Sequence, residues 1–439
     1  MKLSHLLENS EYICEQGNVE LDIENLVYDS RKVTKGSVFV CISGMIRDGH
    51  SFASMAALNG AVAIVVEKEI EPIKNVTIIK VEDSRLALAN MSAAYFNYPA
   101  TKLKTIGITG TKGKTTTTYM VHSILEKAGI KTGLIGTIET IIGEEVITAN
   151  NTTPESYIIQ ENFRKMVDAG CQCVVMEVSS QGLMMNRVSG FTFDYGIFTN
   201  IEPDHIGPNE HKDFNDYMSA KSLLFKKCKV GIVNGDEKEL DKILEGHTCK
   251  IETFGLSEGV DLRATNVSLH KTPGVLGINF DTSGLFHSNF HLNIPGKFSV
   301  YNALTSIAIC RHFEIPIETM KASLEEIKVK GRLEPVNISS NFTLIIDYAH
   351  NAMSLESLLS TLKEYKPERL VCLFGCGGNR SKLRRYEMGE ISSKIADLSV
   401  VTSDNPRFEK PEDIIEDILI GVKKGKGDYV TITDRKEGI

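Results

Sequence analysis

No stretch of 18 or more apolar residues occurs in the 439-residue sequence, so no segment reads as a membrane span. The start, MKLSHLLENSEYICEQ, has neither the long apolar run nor the small-residue cleavage site of a signal peptide. Positive charge is not in excess either. Lys and Arg number 49 against 57 Asp and Glu, a net charge of −8, without the basic stripe of a general nucleic-acid binder. Cysteine is sparse, nine residues in all, and irregularly placed. Cys171 with Cys173, and Cys372 with Cys376, lack the usual zinc or redox spacings, so buried reduced thiols are expected. Internal repeats and low-complexity runs are missing. With 42% hydrophobic and 24% charged residues the chain has the balance of a globular protein with more than one core. The expectation is a cytoplasmic monomer that takes neither nucleic acid nor membrane as partner.

What is present is an α/β pattern. The first hundred residues predict a small mixed domain, with strands from Val38 to Ile42 and Ala61 to Val66 around a helix from Phe52 to Leu58. Asn97-Tyr98-Pro99-Ala100-Thr101 interrupts it as a linker. From Lys104 strands alternate with helices. Lys104 to Thr109, Cys173 to Val178 and Tyr195 to Thr199 read as parallel strands, and Met120, Val121, Ile124, Leu125 and Ala128 fall at helical spacing. A more strand-rich stretch lies between 255 and 296, and a second boundary falls near Lys330. Beyond it a doubly wound series is predicted, with strands from Thr343 to Ile346, Arg369 to Phe374, Leu398 to Thr402 and Tyr429 to Thr433. Helices from Leu355 to Leu362, Tyr386 to Ile395 and Asp413 to Val422 alternate with them, and Asp434 is placed to cap another. Three domains follow, over 1–100, 101–330 and 331–439.

The strongest signal is Gly107-Ile108-Thr109-Gly110-Thr111-Lys112-Gly113-Lys114-Thr115-Thr116, between a strand and a helix. Glycines let backbone N–H groups turn onto phosphate oxygens, and the helix N-terminus adds positive potential. Lys114 suits the β- and γ-phosphates and the Thr115 hydroxyl suits Mg²⁺. The general pattern G-x-x-x-x-G-K-[ST] is broken by Ile108 at its first glycine; the bland alternative is a flexible basic turn. Glu177 and Asp204-His205 end two further strands, where parallel sheets deliver residues to the ligand crevice. In isolation either reads as a solvated or hydrogen-bonded residue. Beside a nucleotide loop they could complete a magnesium site.

These residues resemble the Mur ligases, ATP-dependent amide-forming enzymes of peptidoglycan synthesis. Thr109 to Thr117 is similar to their nucleotide loop. Asn151-Thr152-Thr153-Pro154, Met176-Glu177-Val178-Ser179-Ser180, Thr199 to His205, Gly331-Arg332-Leu333-Glu334, Asp347-Tyr348-Ala349-His350 and Gly375 to Arg380 follow in the family's order, after Asp29-Ser30-Arg31. The set resembles the MurE type over nearly the whole chain. The resemblance implies a UDP-sugar-binding N-terminal domain, a central P-loop-like parallel-sheet domain for ATP and a Rossmann-like C-terminal domain for the amino acid. It implies phosphorylation of the D-glutamate side-chain carboxylate of UDP-N-acetylmuramoyl-L-alanyl-D-glutamate, then attack by an amine on the acyl phosphate. A carboxylate is a poor electrophile, so phosphate supplies the leaving group while cations and N–H donors neutralise the converging anions.

By position, the resemblance implies catalytic roles for Lys114, Lys221 and His205. Magnesium ligands would be Thr115, Glu177, His205 and Lys221, the last as a carbamate formed with CO₂. By sequence alone Lys221 reads as a surface helix lysine. Gly110, Thr111, Lys112, Gly113, Lys114, Thr115 and Thr116 would hold the ATP phosphates, with Asn302, Arg332 and Asp347 on the rest of the nucleotide. Ser30, Asn151, Thr152, Thr153, Ser179 and Arg187 would bind the UDP-sugar peptide; Thr152 and Thr153 alone would read as helix caps. Asp404-Asn405-Pro406-Arg407 goes with meso-diaminopimelate, whose extra carboxylate an arginine can grip, and Arg385 matches another contact to that amino acid.

The sequence departs from the family at Gln181 (usually His), Met185 (usually Gln), Asn379 and Ser381 (usually Asp), and Asn351-Ala352 (usually Thr-Pro). A terminal Gly-Lys-Gly-His-Glu block, expected at the diaminopimelate amino-acid end, does not follow Asp434-Arg435, and a fragment of a longer reading frame is expected. Alternatives are a ligase adding L-lysine or using another acceptor, including folylpolyglutamate-like or cyanophycin-like synthesis, and an inactive nucleotide-binding protein. Asp29-Ser30-Arg31 and Asp404 to Arg407 speak against a changed acceptor; Lys114, Glu177, His205 and Lys221 speak against inactivity.

Overall fold

A computed structural model describes residues 1–44, 47–207, 210–272, 274–336, 338–339 and 341–439. They form two compact units. One contains 1–264, 282–288 and 301–324; the other contains 265–281, 289–300 and 325–439.

The first unit begins with a five-stranded sheet in the order Ile13–Gln16, Thr77–Lys80, Ala61–Val66, Ser37–Val40, Asn25–Val27. All its pairings are parallel except that of Ile13–Gln16 with Thr77–Lys80. Successive side chains leave opposite faces, so one apolar run feeds two cores. Val38, Val40, Ala63 and Val65 pack with Leu3, Leu6 and Leu88 on one side. Phe39, Cys41, Ile64 and Val66 pack with Ala53 and Ala56 on the other.

The larger sheet of this unit is built around Lys104–Thr109, flanked by Cys173–Glu177 and Phe193–Phe198, both parallel to it. Thr132–Ile135 lies beyond the first flank, and Cys228–Asn234 then Lys250–Gly255 beyond the second. After Lys104–Thr109 the chain goes to one side and later returns on the other. The carboxyl end of that strand is therefore a topological switch point, where open α/β sheets bind ligands. Gly107 permits the packing there, since a Cβ would lie 2.8 Å from the Phe193 ring.

The second unit contains a parallel sheet in the order Val371–Phe374, Leu398–Thr402, Asp428–Ile432, with the helices Ala352–Glu364, Lys382–Ile395 and Pro411–Val422. The strand predicted from Thr343 to Ile346 does not join it. Leu344–Ile346 pairs antiparallel with Glu334–Val336 in a two-stranded ribbon. That strand is half-exposed rather than buried on both faces, and its partner contains Pro335, which cannot donate to an interior ladder. Asp434 caps Arg435–Gly438 as expected, its Oδ1 accepting from the Lys436 and Glu437 amides at 2.8 and 3.1 Å. Eight of the nine cysteines are buried; Cys14 is exposed.

Candidate active site

The nucleotide loop leaves Lys104–Thr109 at its carboxyl end and enters the helix Lys114–Lys127. Gly110 and Gly113 have φ of 152° and 83°. A Cβ on Gly110 would lie 2.0 Å from the Thr199 hydroxyl, so only glycine lets the loop approach the adjacent strand end. That neighbour holds the loop. The Thr111 amide donates to Asn200 O and the Lys112 amide to Asn200 Oδ1, each at 2.9 Å. Lys112 O accepts from Asn200 Nδ2 at 3.0 Å and Thr199 Oγ1 at 2.8 Å. Lys114 Nζ donates to the loop carbonyls of Gly110 and Thr111 at 2.8 and 3.1 Å. Thr116 is half-buried in the first turn of the helix.

Thr115 and Glu177 meet where adjacent parallel strands end. Glu177 is 1% exposed and accepts from Thr115 Oγ1 at 3.0 Å, Thr137 N at 2.8 Å and Thr137 Oγ1 at 2.9 Å. Three donors fix the orientation of this buried carboxylate. A carboxylate and a hydroxyl side by side are hard oxygen donors that fit Mg²⁺, which completes its shell with waters and phosphate oxygens. Among the described residues no group of three or more His, Cys, Asp and Glu side chains could hold a metal by itself.

Lys221 is not a surface lysine. It is 1% exposed in Phe214–Ser222, its Nζ donating to Gly110 O at 2.9 Å and lying 4.5 Å from the Tyr217 ring centroid. Burial, and next the nearby Lys114 charge, push its amine well below the ordinary lysine value against the pull of Asp204. His205 is exposed, with φ 54° and its Nδ1 3.2 Å from Glu210 Oε1.

Lys114, Lys221 and His205 line one cavity of about 200 Å³ with Asn151, Thr152, Thr153, Ser179 and Arg187. Thr153 is buried and braces the strand end, donating to Glu177 O at 3.0 Å and accepting from the Ser179 amide at 2.9 Å. Ser179, rather than Thr152 or Thr153, is the helix cap, accepting from the Gly182 amide at 3.0 Å. Thr152 Oγ1 lies 3.0 Å from Thr137 Oγ1. Arg187 donates to Thr153 O at 3.0 Å and pairs with Glu155 at 3.0 Å, and Arg85 reaches the same Glu155 at 3.2 Å. Ser30 is not among the residues lining this cavity; it begins the short 3₁₀ turn Ser30–Lys32 next to Asp29, which pairs with Arg31. Asn302, buried, accepts from Thr117 Oγ1 at 3.3 Å on the nucleotide-loop helix.

The remaining expected residues belong to the second unit. Asp347 accepts from the Leu333 and Ala349 amides at 2.8 and 2.9 Å, while burial pushes its carboxyl up. Arg332 stacks 4.7 Å over Tyr348. Two loops are laced together: the Gly378 amide donates to Asn405 O at 2.8 Å, Arg407 donates to Gly378 O, and the Phe408 amide donates to Asn379 Oδ1 at 3.2 Å. Pro406 approaches so closely that a Cβ on Gly378 would fall 1.9 Å from its carbonyl oxygen. Arg385 is 1% exposed, with Nη1 2.8 Å from Glu409 and 2.9 Å from Asp417, and Nη2 2.7 Å from Glu409. Asp404 is exposed.

Sequence reasoning singled out neither Thr137, Asn200 nor Tyr217. Asn200 falls within the Thr199 to His205 run, so its nearness to the site was available, and Tyr217 lies one helical turn before Lys221; Thr137 is a lone threonine after a strand and carries no sequence signal.

Three family models match in order: "Mur ligase family, catalytic domain" over 22–96, "Mur ligase middle domain" over 108–310 and "Mur ligase, glutamate ligase domain" over 331–439. UDP-N-acetylmuramoyl-L-alanyl-D-glutamate–2,6-diaminopimelate ligase 1 of Clostridium acetobutylicum is 44% identical over 444 residues, covering 100% of this chain and 90% of that protein. The corresponding ligase of Clostridium botulinum is 43% identical over 448 residues, with coverage of 100% and 90%. A solved structure of a ligase of that name superposes with a TM-score of 0.75 at 23% identity, over 100% of this chain and 89% of the other. Loop, strand order and full-length likeness agree: the chain belongs to the Mur ligase family.

Proposed function

We propose that this protein joins meso-diaminopimelate to UDP-N-acetylmuramoyl-L-alanyl-D-glutamate at the expense of ATP, acting as a cytoplasmic monomer in peptidoglycan precursor synthesis. The observation that supports it most is the cavity that joins Lys114 of the nucleotide loop to the buried Lys221, whose amine burial pushes well below the ordinary lysine value, and to Arg187. Relatives more than 40% identical over the whole chain bear that activity in their names.

In this reading a D-glutamate carboxylate oxygen attacks the γ-phosphorus of ATP. The new O–P bond forms as the bond to ADP breaks, and ADP leaves with the electron pair. The amine of diaminopimelate then attacks the acyl carbon, the C–O bond breaks, inorganic phosphate departs and the ammonium proton is released. Amides of the Gly110–Thr116 loop and the following helix N-terminus bind the phosphates, and Lys114 exchanges its contacts to Gly110 and Thr111 for the γ-phosphate. Thr115, Glu177 and His205 would hold Mg²⁺, which would supply charge neutralisation on the transferred phosphoryl group. Lys221, whose amine burial pushes well below the ordinary lysine value, would add through its free-amine form to the carbon of CO₂ and release one N–H proton, and the resulting carbamate would offer an anionic oxygen donor. Asn151, Thr152, Thr153, Ser179 and Arg187 orient the UDP-sugar peptide, with Ser30 on its far end. Asn302, Arg332 and Asp347 serve the remainder of ATP. Arg385 and Asp404-Asn405-Pro406-Arg407 serve the incoming amino acid.

Phosphate release from ATP with the UDP-dipeptide, assayed separately with meso-diaminopimelate, L-lysine and no amino acid, tests this directly. Release that requires diaminopimelate, with a tripeptide product by mass, is the expected result. Equal release with lysine, or release independent of any amino acid, overturns the assignment.

A further inference from the structure

His211 is completely buried, yet both ring nitrogens are matched. Its Nδ1 lies 3.1 Å from Asp216 Oδ2 and its Nε2 lies 2.8 Å from Ser180 Oγ. An ionised Asp216 can only accept, so the ring donates from Nδ1, and Nε2 and the Ser180 hydroxyl share a hydrogen bond. These three residues come from three places: the turn after Cys173–Glu177, the loop after Phe193–Phe198, and the first turn of Phe214–Ser222. None has an assigned role in the reaction described above.

We propose that His211 is a positioning residue, latching the loop that presents His205 to the end of the strand that presents Glu177. This rests on the ligase reading for its consequence, though not for its geometry. The His211 amide donates to His205 O at 2.9 Å, and the Gly207 amide returns a bond to His211 O at 3.1 Å. His205 needs that support, because φ of 54° is a backbone region that few non-glycine residues occupy. Its side chain pairs with Glu210 and Asp204, neither of which ties the loop to the sheet, and its ring lies 6.0 Å from that of Tyr217. The His211 ring also lies 5.1 Å from that of Tyr217, which underlies Lys221 and whose hydroxyl is 3.1 Å from Thr111 Oγ1. One residue thus joins three places: its ring meets Ser180 after the strand of Glu177 and Asp216 and Tyr217 on the helix of Lys221, while its backbone holds His205 and Gly207. Losing a partner leaves a ring nitrogen buried and unsatisfied, a cost the loop can escape only by opening.

The first test is amide hydrogen exchange on the full-length protein without substrates. Ser180→Ala deletes one hydroxyl and leaves the ring in place. The exchange of the Gly207 and His211 amides is expected to rise about tenfold, one hydrogen bond's worth, with the amides of Thr111 and Lys112 unchanged. Asp216→Asn should give a similar rise, the double variant less than the product of the two, and Ser180→Thr should restore protection. In phosphate release, half-saturating Mg²⁺ should rise about tenfold in Ser180→Ala while the KM for ATP stays within about twofold. Wild-type exchange at Gly207 and His211 in Ser180→Ala overturns the latch, and so does a rise shared equally by Thr111 and Lys112. Failure of the wild-type protein to use diaminopimelate would sink the ligase reading and leave the exchange result to judge the latch alone.

Discussion

Two arginines that sequence likeness assigns to substrate binding sit in opposite electrostatic settings. Arg187 shares a single carboxylate, Glu155, with Arg85, so two cations surround one anion beside an open cavity. Arg385 is sealed between Glu409 and Asp417, one cation between two anions, with the exposed Lys382 adding a contact to Asp417 at 3.2 Å. An incoming carboxylate or phosphate therefore finds uncompensated positive charge at Arg187 and none to spare at Arg385. The same guanidinium can recruit a ligand or fasten two loops. Its neighbours, more than its identity, decide which.

The largest effect follows from breaking the sealed pair. Arg385→Met should destabilise the second unit by about 3–5 kcal/mol, because it leaves Asp417 buried beside an apolar group, and urea unfolding resolved by hydrogen exchange over 371–432 measures it. An unchanged unfolding midpoint with a raised KM for diaminopimelate would instead make Arg385 chiefly a ligand contact. Arg187→Ala should act the other way. The KM for the UDP-dipeptide should rise about tenfold to a hundredfold, the worth of a charge-assisted hydrogen bond, with the unfolding midpoint hardly moved. Glu155→Gln sharpens the contrast further. It frees both cations of their shared anion, so the KM for the UDP-dipeptide should fall or hold while its sensitivity to salt increases.

How much of this was legible in the chain depended on how local the cause was. The glycine loop between an apolar strand and a helix announces its use, because the backbone positions and the helix terminus are adjacent in sequence. The Thr115–Glu177 pairing was legible at one remove, since parallel strands that alternate with helices bring their carboxyl ends together. Lys221 was not, because Tyr217 to Phe225 reads as an ordinary helix and the burial comes from Gly110, 111 residues away. The ion pairs of Arg385 were illegible for the same reason: its partners lie 24 and 32 residues along the chain, and neither matches a motif. The strand expected from Thr343 to Ile346 failed through its partner, since a short apolar run does not say whether it will meet a central sheet or a proline-bearing ribbon strand.

The smallest predicted effect tests the sealed pair without altering a residue. The Arg385 guanidinium, with help from the Asn379 amide, holds the Glu409 carboxyl at about 2, down from 4.5. A carboxyl depressed by folding stabilises the folded state fully above its unfolded value and loses that contribution as pH falls through its folded value. Protection of the Lys382–Ile395 helix, corrected for intrinsic exchange, should therefore decline between about pH 4.5 and pH 2. Glu409→Gln should remove the part of the decline that this group causes, and Arg385→Met should move its midpoint up towards 4.5. If both variants keep the wild-type acid profile, the clasp around Arg385 does not respond to Glu409, and Asp417 would then be the anion that holds it.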